Sequence, residues 1–124
     1  MTGWSAETDA LLRLMAARGR GPEREGLFAL WLLVRVLDDV IHDPLPDRVT
    51  RRRIASLERR LSSLALPAPL RRALAGALGE LAEPSRPNVA LALRGLVAPT
   101  RDALGGPAAE LIAKVAADAR SAGS

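Results

Sequence analysis

Asp38, Asp39, His42 and Asp43 fall within six consecutive positions, and His42 is the chain's only histidine. Residues of these types at this spacing offer two chemistries. On a helix, Asp39, His42 and Asp43 stand at i, i+3 and i+4, so two carboxylates and an imidazole share one face in the manner of metal ligands. A lone histidine among carboxylates is also the arrangement of a general base.

Both chemistries lack their complements elsewhere in the sequence. Helical di-metal sites draw carboxylates from several helices. The acids Glu58, Glu80, Glu83 and Glu110 show neither paired carboxylates nor a Glu-x-x-His pattern. The run DDVIHD resembles the aspartate-rich metal motif of prenyl-diphosphate enzymes. Those are far larger and need a second such motif, which this sequence does not carry. As a base, His42 would need a hydroxyl nucleophile, and none stands in a nucleophile-elbow context. GRGPEREG has glycines but no preceding strand, and it lacks the lysine and hydroxyl of a phosphate loop, so it reads as a turn between helices. The expectation is therefore no metal, no cofactor and no catalytic residue, with Asp39, His42 and Asp43 as the only metal candidates.

The cluster must be positioned by the element that precedes it. β-branched residues are scarce, no segment alternates with period two, and Leu and Ala recur at helical spacings, which predicts an all-α chain. Helix one runs from about Ser5, a capping residue, to Arg18, with Gly19 as its stop and Leu11, Leu14 and Met15 inward. Helix two starts at Pro22 and ends before Pro44. Helix three starts near a capping Asp47 and ends before Pro67, with Ile54, Leu57, Leu61 and Leu64 forming a narrow apolar seam. Helix four spans about Pro69–Glu83 with Leu70, Leu74, Leu78 and Leu81 inward. Its Ala73, Gly76, Ala77 and Gly79 are small enough to admit a neighbouring helix. Helix five spans about Pro87–Ala98, where Pro99 breaks or kinks it. A last helix starts at Pro107 with Leu111, Ile112 and Val115 inward, and residues 121–124 form a frayed tail.

These elements predict a single domain over residues 1–124, a compact bundle of five or six helices. A short α-solenoid is the alternative, because PLRRAL (69–74) and PTRDAL (99–104) share the pattern P-x-R-x-A-L at an interval of 30 residues.

Helix two carries the most information. At 100° per residue, Leu30, Leu32, Leu33, Val34, Val36, Leu37, Val40 and Ile41 cover most of its circumference, the mark of a central, many-sided core helix. The face left over is Arg24, Phe28, Trp31, Arg35, Asp38 and His42, a continuous stripe with Asp39 at its edge. The acidic cluster is thus the lower half of a seam whose upper half is aromatic. Aromatic and arginine side chains beside charge are what interface centres favour. Phe28, Trp31, Arg35, Asp38 and His42 are the predicted partner-binding residues. The competing reading packs Phe28 and Trp31 under helix one or a loop.

Negative charge in the last turns of a helix opposes the macrodipole, and Arg35 precedes Asp39 in the less favourable order for an intrahelical pair. Compensating cations must come from elsewhere. Helix three, with Arg48, Arg51, Arg52 and Arg53, is the nearest source, and a salt-bridge network across the turn is expected.

Composition bounds the remaining function classes. The chain has 124 residues and no cysteine, so it can bury roughly two-thirds of its unfolded surface without staples and uses neither disulfides nor thiolate metal sites. The stretch MTGWSAETDALL has acids where a secretory signal needs bases. The apolar run LFALWLLV (27–34) falls short of the roughly 20 residues that span a bilayer. A cytoplasmic protein without membrane contact is expected. The net charge is only +4. The pI of about 11.1 reflects the predominance of arginine over lysine, whose high pKa inflates the pI without adding charge at neutral pH. A basic strip on helix three, Arg48, Arg52, Arg53, Arg59 and Arg60, is of the kind that contacts phosphates. The resulting expectation is a non-enzymatic helical protein-protein interaction or assembly module that self-associates through the face of helix two. A nucleic-acid-associated regulator using helix three is the alternative.

Overall fold

Six helices build the protein in a computed structural model that describes residues 3–18, 20–43 and 45–121. They are α1 (Ser5–Arg18), α2 (Pro22–His42), α3 (Asp47–Ser62), α4 (Ala68–Glu80), α5 (Arg86–Leu104) and α6 (Gly106–Ser121). Among the described residues there is no strand, and the helices form a small compact bundle. No helix there is long and apolar enough to cross a membrane. Gly19 and Pro44, the predicted stops of the first two helices, and residues 122–124 of the predicted tail lie outside the described residues.

α2 owes its central place to its composition. Leu27, Leu30, Leu33, Val34, Leu37 and Ile41 are all buried, and the helix packs against α1, α3, α5 and α6. Gly26 opens a further approach: a Cβ there would stand 2.9 Å from a methyl of Leu104 and 3.0 Å from one of Leu70. The core continues through Val89, Leu93 and Leu96 of α5 and Ile112 and Val115 of α6.

The turns follow local chemistry. Gly21 and Gly105 adopt φ of 99° and 96°, a region that L side chains rarely enter. Gly21 caps the start of α2, where Pro22 is the first helical residue, and Gly105 alone links α5 to α6. Arg18 fastens both connections. Its guanidinium pairs with Glu23 at 2.6 Å and donates to the Leu104 carbonyl at 2.9 Å, satisfying an orphan acceptor at the end of α5.

Several predicted boundaries shift for identifiable reasons. Ser5 lies inside α1 instead of capping it, because the Trp4 carbonyl accepts from the Thr8 amide. Pro46 takes the cap position expected of Asp47. α4 closes at Glu80, three residues short of the prediction, where Leu81 and Ala82 donate three residues back and tighten the last turn. α5 starts at Arg86 under a true cap, with Ser85 Oγ accepting from the Asn88 amide at 3.3 Å. It does not end near Pro99. It runs on to Leu104, because Leu96, Thr100 and Leu104 are all buried on the same side, and tertiary burial overrides a local breaker. Leu14 and Leu64 are only partly buried. Of the small residues on α4, Ala77 is buried where α5 packs alongside, while Gly76 and Gly79 face open space. The P-x-R-x-A-L echo is not a structural repeat: its first copy opens α4 and its second closes α5.

Candidate functional site

The stripe on α2 divides into two halves with different surroundings. In the upper half, the i, i+3 and i+4 spacing stacks three side chains along the helix. The Phe28 and Trp31 rings lie 5.9 Å apart at 18°, and the Arg35 guanidinium lies 5.7 Å from the Trp31 ring centroid. Both arrangements are attractive beyond simple burial. Phe28 and Trp31 are partly buried against the core, while Arg24 and Arg35 are exposed. The ladder is anchored from beneath and open from above.

In the lower half, Asp38 and His42 turn toward the chain's N-terminal segment. Asp38 Oδ1 accepts from the Trp4 amide at 3.2 Å and lies 2.7 Å from His42 Nδ1. A carboxylate only accepts, so Nδ1 is the donor in that bond. The Trp4 ring meets the His42 ring edge-on, 5.2 Å away at 88°. Trp4 is 2% exposed, and its indole Nε1 donates to Asp118 Oδ2 at 2.6 Å. Gly3 makes the approach possible, since a Cβ there would stand 3.0 Å from Asp38 Oδ2. The adjacent Glu7, largely buried, pairs with Lys114 at 3.4 Å. The result is a clamp that joins the start of α1, the end of α2 and the end of α6.

The expected network between α2 and α3 consists of one pair, Asp39 Oδ2 to Arg53 at 3.0 Å, both side chains nearly half exposed. A pair so placed contributes about 0–1 kcal/mol. A second cation comes from α5. Arg86 donates to the Ile41 carbonyl at 3.2 Å, placing positive charge at the negative end of α2. Arg51 reaches Glu83 at 3.7 Å, away from the aspartates. Asp43 is exposed.

Two of the three metal candidates have other partners. His42 directs Nδ1 at Asp38, and Asp39 faces Arg53. Among the described residues, no group of three or more His, Cys, Asp or Glu side chains is placed to hold a metal ion. Within DDVIHD, Asp38, Asp39 and His42 each contact a residue outside α2.

On α3, Arg48, Arg52, Arg59 and Arg60 are exposed, and none lies within ion-pairing distance of an acid among the described residues. Arg53, grouped with them on sequence, is drawn to Asp39.

The residues that sequence reasoning missed are Trp4 and Asp118. Trp4 is a lone aromatic ahead of a helix, outside any periodic pattern, and its indole partner is 114 residues away. Comparison with protein-family models, curated proteins and solved structures gave no match.

Proposed function

We propose that this chain is a non-enzymatic helical interaction module that self-associates through the outer face of α2. One observation carries the reading: Phe28, Trp31 and Arg35 stack into a continuous ladder that stays partly open on the most deeply buried helix. Aromatic and arginine anchors of this kind dominate binding energy where interfaces have been dissected. The contact is centred on Phe28, Trp31 and Arg35. Asp38 and His42 serve it from below by fixing the end of α2 against Trp4. Charge around Arg35 and Asp39 sets register more than affinity. The test is molecular mass in solution across protein concentration. A concentration-dependent dimer or larger assembly is expected, and a strict monomer at every concentration overturns self-association.

A second reading, association with nucleic acid, is supported by the unpaired arginines of α3. Phosphate contact through Arg48, Arg52, Arg59 and Arg60 predicts affinity that falls steeply as salt rises. Absence of binding to DNA and RNA at low ionic strength removes it.

A further inference from the structure

Among the described residues, grooves open between neighbouring helices, and their charges differ. The groove between α1 and α6 carries Glu7, Lys114 and Asp118. That between α3 and α4 carries Glu58 and Arg71, and that between α4 and α5 carries Glu80. The groove between α5 and α6, of about 400 Å³, differs in its charge: Arg94 and Arg120 are its only charged lining. Its apolar lining is Val97 and Ala113, Ala116 and Ala117.

Neither arginine pairs with an acid among the described residues. Arg120 stands in the last turn of α6, where a cation offsets the helix dipole. Arg94 lies in the middle of α5 and has no such local reason to be there. Two unmatched guanidinium groups beside an apolar floor are complementary to an amphiphile with an anionic head. The planar fork of arginine suits a carboxylate, and the aliphatic stems extend the apolar wall.

Size decides what kind of occupant fits. The volume falls within the roughly 300–1,000 Å³ of small-ligand sites. From Ala113 to Arg120 the helix advances about 10 Å at 1.5 Å per residue, which suits a medium-length alkyl chain. A stable protein partner needs about 800 Å² on each side, more than a seam of this length offers.

We infer that the α5–α6 groove binds a medium-chain alkyl carboxylate, with Arg94 and Arg120 at its head and Val97, Ala113, Ala116 and Ala117 along its tail. The inference is independent of the α2 face.

Calorimetric titration of the full chain with decanoate, below its micellar concentration, tests it. Saturable one-to-one binding is expected. Acetate (the head without the tail) and decyltrimethylammonium (a comparable tail with a cationic head) should each bind at least tenfold more weakly. The R94Q/R120Q double variant should lose at least tenfold in decanoate affinity with its helical circular dichroism unchanged, because both side chains are exposed. R59Q/R60Q removes the same charge elsewhere and should bind as the parent does. Ala113→Glu, which brings a carboxylate to the groove, should abolish binding. Equal weakening by the two double variants would reduce the effect to general charge attraction and overturn the inference. So would equal affinity for the cationic amphiphile, absence of saturable binding, or capture of an acidic helical peptide in the groove when decanoate does not bind.

Discussion

The indole of Trp4 donates to the Asp118 carboxylate at 2.6 Å, joining residues 114 apart in sequence. The same residue gives its backbone amide to Asp38 and its ring to His42, so three helices are held at one point. Trp4→Ala should therefore cost about 3–5 kcal/mol, the range for emptying a buried aromatic site. Trp4→Phe keeps an aromatic ring but loses the indole donor and part of the buried volume. Asp118 is exposed, so water can replace that donor, and the cost should be about 1–3 kcal/mol, below that of Trp4→Ala. Urea unfolding of the two variants measures the difference, and equal losses would show that packing does not dominate.

Asp38 holds two donors at once, the Trp4 amide and His42 Nδ1. Asp38→Ala leaves both without their acceptor in a partly buried place and should cost about 1–3 kcal/mol. His42→Ala removes one of those donors beforehand. The two substitutions should therefore be non-additive, with an interaction energy of about 0.5–3 kcal/mol. A double-mutant cycle in urea checks this. Strict additivity would mean that the 2.7 Å contact adds nothing to stability.

Glycine-to-alanine substitutions should change sign along the chain. At Gly76 an added Cβ meets nothing within 4 Å, and the helix gains about 0.5–1 kcal/mol from reduced backbone entropy. At Gly26 the same Cβ would meet Leu104 at 2.9 Å and Leu70 at 3.0 Å. Those side chains are almost wholly buried and have little room to yield. Overpacking should cost about 1–3 kcal/mol there. Unfolding midpoints that move in opposite directions are the expected result.

Pro99 interrupts the hydrogen-bond ladder of α5 without ending the helix. An interior proline costs about 3 kcal/mol, and its removal returns about 0.4–1 kcal/mol of freedom to the unfolded chain. Pro99→Ala should therefore stabilise the protein by about 2 kcal/mol, read as a higher denaturation midpoint. No gain would mean that α5 already accommodates the ring without strain.

What the sequence made legible follows from the range of each signal. The apolar surround of α2 is a local pattern, and the buried Leu30, Leu33 and Leu37 follow from it directly. The aromatic ladder is also local, since Phe28, Trp31 and Arg35 are one helical turn apart. The destination of Asp38 was not legible, because its partner Trp4 lies 34 residues away and nothing near Trp4 marks it as buried. Arg53 lies on the helix next in sequence to Asp39 and was legible as its partner, whereas Arg86 reaches the end of α2 only because the topology brings α5 there. Small residues on α4 suggested close packing. α5 does pack there, over the buried Ala77, but smallness permits an approach without requiring one at every position, and Gly76 and Gly79 remain uncovered.

Trp31→Ala separates an interface from a core. Trp31 rests partly on the core and partly in the open, so its truncation has two consequences to be measured apart. Protomer stability should fall by less than it does for the deeply buried Trp4. Self-association should weaken by more than about 1–2 kcal/mol, the loss expected of an aromatic anchor. Unfolding in urea at a concentration where the protein is monomeric gives the first quantity, and mass as a function of concentration gives the second. Arg35→Leu adds a control, because it removes the cation from above the Trp31 ring and leaves aliphatic bulk in its place. If Trp31 anchors the contact, Arg35→Leu should weaken association by less than Trp31→Ala does. If Trp31→Ala lowers stability and association proceeds as in the parent, Trp31 belongs to the core and the contact between copies lies on another face.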